Sequence, residues 1–93
     1  MAKRPATQRR VPRGRGPKPQ NLSPFIRLAE ALVTWRKDRG LRQADLAARL
    51  GKQQSFVTKY ETRKRRLDFV DVVAVLEALD VPLERAAKIV RGR

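Results

Sequence analysis

The side chains of this sequence best equipped for chemistry sit close together: Gln43, then Gln53, Gln54, Ser55, Thr58 and Lys59, then the run Arg63-Lys64-Arg65-Arg66. They are amides, hydroxyls and fixed cations. A glutamine amide donates and accepts side by side, which matches the N6/N7 edge of adenine; an ammonium donates to guanine O6/N7, and a serine hydroxyl serves several bases. Lys52, Arg63, Lys64, Arg65 and Arg66 suit phosphate oxygens, and the run Arg63 to Arg66 is followed by no acidic residue until Asp68. Catalytic chemistry is poorly supplied. The sequence has no cysteine and no histidine, so it offers no thiolate nucleophile, no disulfide framework, no imidazole base and no zinc set of the usual ligands. The acidic residues are accounted for by helix caps and helix surfaces, and nothing assembles a nucleophile, base and oxyanion site. A binding protein without metal or cofactor is expected, not an enzyme.

The charge balance says what it should bind. In 93 residues, 23 Lys+Arg stand against 9 Asp+Glu, a formal net charge of +14. Such a chain seeks polyanions: nucleic acid first, with an anionic membrane surface or the ribosome behind it. No apolar run approaches the roughly 18 residues a membrane span needs. Met1 to Gln20 hold seven of the basic residues and four prolines with no acidic residue, a composition that predicts a disordered basic arm over residues 1–22. The arm lacks the apolar core of a secretory signal, and its clustered Pro and Gly oppose the amphipathic helix of an organellar transit peptide. Within it, Pro12-Arg13-Gly14-Arg15-Gly16-Pro17-Lys18-Pro19 resembles the AT-hook, departing from that motif at Gly16. Arg13 and Arg15 could enter an A·T-rich minor groove; a solvated basic tail touching phosphates without preference is the plainer reading.

One ordered domain is expected over residues 23–93, all of it helical. Ser23-Pro24 supplies an N-cap and a first-position proline for a helix to about Arg39, with Leu28, Ala31, Leu32 and Trp35 as its apolar stripe. A second helix spans about Gln43–Leu50 behind Arg42, a poor cap. A third spans about Gln54–Thr62. Leu46, Ala47 and Leu50 before Gly51, and Val57 and Tyr60 after it, let these two short helices bury one face together across a glycine hinge. Asp68 caps a fourth helix, for which Phe69, Val72, Val73, Leu76 and Leu79 make one face, with Asp80 just past its end. A fifth, about Leu83–Val90, shows Leu83, Ala86, Ala87 and Val90 on one side.

Leu41 to Val81 resembles the Cro/C1 (Xre) family of helix-turn-helix DNA-binding proteins. Gln43 stands at the first position of the motif, Ala47 at the close-packed fifth, Gly51 at the turn, Val57 and Tyr60 at buried positions, and Glu61 at its close. The resemblance implies a compact five-helix, lambda-repressor-like fold, with the third helix in the major groove. It places Gln54, Ser55 and Lys59 at base-reading positions; Thr58 projects from the same face by helical geometry. It implies an Arg36–Glu61 ion pair, with Gln43 on a phosphate and bracing Gln54. Lys52, Gln53, Arg63, Lys64, Arg65 and Arg66 would then follow the flanking phosphates. Phe56 either meets a thymine methyl or sugar or tucks inward beside the fourth helix.

The functional expectation is a bacterial or phage-type transcriptional regulator, a repressor, cytoplasmic and nucleoid-associated. It would bind a double-stranded operator as a homodimer on inverted half-sites. The fifth helix serves either as dimer surface or as closure of the monomer core. No sensor domain follows it, so control is expected from a partner chain such as a co-regulator or the toxin of an antitoxin pair. The alternative is an architectural or RNA-associated basic protein without sequence preference.

Overall fold

Ser23 Oγ accepts the amide of Ile26 at 3.2 Å, and Pro24 fills the first helical position, where no amide hydrogen is needed. Helix α1 therefore runs Pro24–Asp38. In the computed structural model, which describes residues 23–92, it is followed by α2 (Gln43–Leu50), α3 (Gln54–Glu61), α4 (Phe69–Leu79) and α5 (Leu83–Arg91). The described residues contain no strand. The basic arm, with the AT-hook-like stretch and its Arg13 and Arg15, lies outside the described residues.

Each boundary has a local cause. Arg42 cannot accept a hydrogen bond at the start of α2, and Asp45 compensates. Its carboxylate accepts the Arg42 backbone amide at 2.8 Å while the guanidinium closes on the same group at 3.0 Å. These bonds to Arg42 hold the Asp45 carboxyl down to about 2. Gly51 ends α2 at φ +68, with the Lys52 amide donating back to the Ala47 carbonyl at 3.0 Å. A Cβ there would meet nothing within 4 Å, so the backbone angle alone calls for glycine. Asp68 Oδ1 caps α4 on the Asp71 amide at 2.8 Å. Asp80 ends α4 in the left-handed region at φ +58.

Leu28, Leu32 and Trp35 from α1 meet Leu46 and Ala47 from α2, Phe56, Val57 and Tyr60 from α3, and Val75, Leu76 and Leu79 from α4. Ala47 is nearly fully buried, the small residue that α2 and α3 need to cross closely. Helix α1 lies against α3, α4 and α5, and α2 against α3 and α4. Arginines tie the helix ends together. Arg27 donates to the Ile89 and Val90 carbonyls at the end of α5 (3.0 and 2.7 Å), and Arg39 to the Leu79 and Asp80 carbonyls at the end of α4 (2.7 and 2.9 Å).

Two faces differ from the sequence expectation. On α4 the buried stripe is Val75, Leu76 and Leu79, with Val72 and Val73 half-buried, while Phe69 is 68% and Val70 75% exposed. The helix is apolar almost all round, so several stripes with helical spacing were open to it, and packing on α1 and α2 selected one. On α5, Ala86 is buried and Ala87 and Ile89 are half-buried, but Leu83 and Val90 remain exposed. Helix α5 thus closes the core with part of its apolar surface and leaves the rest outside. No described helix is long and apolar enough to cross a membrane.

Candidate nucleic-acid interface

Eight residues of α3 divide cleanly. Val57 and Tyr60 are fully buried and Phe56 nearly so, whereas Gln54, Ser55 and Lys59 are exposed on the other side, Gln54 and Ser55 in the first turn. This is the edge the sequence assigned to base contacts, with one difference. Thr58 is half-buried, and its hydroxyl donates to Gln43 Oε1 at 2.7 Å.

Behind the edge lies a connected polar network. Arg36 and Glu61, whose side chains are only 9% and 6% exposed, form a two-pronged pair at 2.7 and 3.1 Å, and Arg36 Nη1 also donates to the Leu41 carbonyl at 2.7 Å. Glu61 Oε1 accepts the Gln43 amide nitrogen at 2.8 Å. A carboxylate can only accept, so it fixes which way the Gln43 amide faces. Its carbonyl must then point toward α3, where it receives Thr58 and, at 3.4 Å, the Gln54 amide nitrogen. Gln54 is left with its own carbonyl and one N–H for a ligand, one acceptor beside one donor. Gln43, expected both to touch a phosphate and to brace Gln54, is half-buried, and its carbonyl receives the Gln54 amide.

The cations stand at both ends of α3. Lys52 and Gln53 are exposed before it, and Arg63, Lys64, Arg65 and Arg66 after it. Phe56 turned inward, edge-on to Tyr60 at 5.8 Å between ring centroids. Its ring also carries two of these cations, Lys52 Nζ at 5.1 Å and the Arg65 guanidinium at 4.8 Å. Arg66 lies over Phe25 at 5.1 Å. Arg65 approaches Asp71 at 3.8 Å and Arg63 approaches Glu30 at 4.0 Å, long pairs that leave the cations available to a polyanion.

Sequence reasoning missed the second tasks of Thr58, Phe56 and Glu61. A signal existed for two of them: Gln54, Thr58 and Glu61, at i, i+4 and i+7, form one stripe that must face α2. Nothing in the pattern marked Phe56 as a platform for cations.

A helix-turn-helix family model matches residues 32–85, more than half of the chain and all of α2, α3 and α4. No match is found among curated proteins. With the hinge at Gly51, the packed Ala47 and the network behind α3 in place, the chain belongs to the Cro/C1 (Xre-like) type of helix-turn-helix family, a family of DNA-binding transcription regulators.

Proposed function

We propose that the protein is a sequence-specific repressor that occupies a double-stranded DNA operator, laying the amino-terminal turn of α3 into the major groove. The observation that carries this reading is the oriented amide of Gln54. Held through Gln43 by a buried ion pair, it presents an acceptor and a donor together, the pattern that reads adenine N6/N7. Lys59 donates to guanine O6/N7, Ser55 takes a base or a phosphate, and Thr58 acts mainly by holding Gln43. Lys52, Gln53, Arg63, Lys64, Arg65 and Arg66 follow the phosphates on either side, and Arg13 and Arg15 of the arm add charge in the adjacent minor groove. Six neutralised phosphates would give a slope of about −5 in log K against log salt. Two copies bind inverted half-sites one helical turn apart. The protein works at the nucleoid of a bacterial or phage-infected cell, and a co-regulator or toxin is the partner through which it is controlled.

Competition binding tests this reading. Gln54→Ala should lose about 1–3 kcal/mol of discrimination between the best site and random duplex while keeping its nonspecific affinity. A wild-type protein with no preference among duplexes, or one binding RNA equally well, would move the reading to an architectural basic protein.

A further inference from the structure

We infer that the exposed face of α4, formed by Phe69, Val70, Val73 and Ala74, is the surface on which a second copy of this chain docks. The inference rests on the dimeric reading above and specifies its interface. Phe69 and Val70 are the most exposed large apolar side chains among the described residues, at 68% and 75%. They border a shallow groove of about 320 Å³ completed by Val73, Ala74 and Glu77. A single surface thus holds both projecting side chains and a groove, as a two-fold contact of identical patches needs.

Charge selects the occupant. All 23 Lys and Arg lie outside the segment Leu67–Glu84, which contains five of the nine acidic residues: Asp68, Asp71, Glu77, Asp80 and Glu84. Two copies of a +14 chain repel through most of their surfaces, and this segment is where the repulsion is least. Charge also differs between the flanks of α4. Arg63 to Arg66 precede the Asp68 and Asp71 of its amino end, while Glu77, Asp80 and Glu84 lie at and beyond its carboxyl end, where Arg39 and Arg49 donate to the Leu79, Asp80 and Ala78 carbonyls. Antiparallel pairing of α4 with α4 about Val73 brings the apolar stripes together and turns the Arg63–Arg66 run of each copy toward Glu77 at the groove of the other. The competing surface on α5 offers Leu83 and Val90, but that nine-residue helix also carries Arg85, Lys88 and Arg91. Pairing there would bring six cations into one contact.

Sedimentation velocity of the full chain across the micromolar range, without DNA, tests the assignment. The wild type should sediment as a dimer. Val70→Glu and Phe69→Glu should each weaken self-association by at least about thirtyfold and sediment as monomers that keep the wild-type helix content by circular dichroism, because both side chains lie outside the monomer core. Val90→Asp should remain dimeric. Dimers that persist in both α4 variants, monomers produced by Val90→Asp, or a wild type that stays monomeric would each overturn the assignment. Binding to a duplex with a single half-site separates this from the DNA reading. Val70→Glu should match the wild type there, whereas absence of sequence preference in the wild type itself removes the DNA reading and leaves the mass result to judge α4.

Discussion

Glu61 is the residue on which the candidate edge turns, because its two oxygens receive Arg36 twice and Gln43 once. Removing one member of so buried a pair strands the other, so Arg36→Met and Glu61→Leu should each cost about 3–5 kcal/mol in urea unfolding. The double variant should cost less than the sum, with a coupling of about 1–3 kcal/mol; strict additivity would contradict the pairing. The pair was legible through the family resemblance at Arg36 and Glu61. The direction of the Gln43 amide was not, since it depends on which atoms face it in three dimensions. Tyr60 gives the opposite case. Its ring is fully buried, and its hydroxyl has no hydrogen-bond partner among the described residues. Tyr60→Phe should therefore leave stability unchanged or raise it by up to about 1 kcal/mol, and a loss larger than that would show that the hydroxyl is satisfied in solution.

Helix boundaries were legible wherever a single residue makes the cap. Ser23, Asp68 and Gly51 set their ends by local chemistry that a linear sequence carries in full. The orientation of α4 was not, because valine and leucine on several sides left the choice of buried stripe to packing against α1 and α2. The connection after α3 holds a strain that sequence patterns also hide: Arg63 takes φ +63, a conformation costing a residue with a Cβ about 1–2 kcal/mol. Arg63→Gly should stabilise the fold by up to about 1 kcal/mol, since its long contact with Glu30 contributes little. The same change should weaken DNA binding and make the salt slope shallower by about 1, measured by titration at several salt concentrations. Unchanged affinity would remove Arg63 from the phosphate set.

At the scale of the molecule, the +14 charge made a polyanion partner legible at once, while the docking face proposed on α4 depends on which apolar side chains the finished core leaves outside. Stability should also report two titrations of opposite sign. Asp45 is held at about 2, below the ordinary 3.8, first by the Arg42 side-chain hydrogen bond. Its contribution is complete above 3.8 and is lost as pH falls toward 2. Burial pushes the Tyr60 phenol above its ordinary 10.0, so that contribution is complete below 10.0 and is lost as pH rises beyond it. Melting temperature against pH should fall at both extremes, with Asp45→Asn reducing the acid fall and Tyr60→Phe the alkaline one.

The central claim, that α3 reads sequence from an edge oriented by Gln43, is tested most directly by selecting bound duplexes from a random pool, with the full chain and with residues 1–20 removed. The account predicts an enriched two-fold motif with half-sites one helical turn apart, retained without the arm and lost at one position of each half-site in Gln54→Ala. A pool that emerges with no motif, or one that Gln54→Ala leaves unchanged, would contradict it.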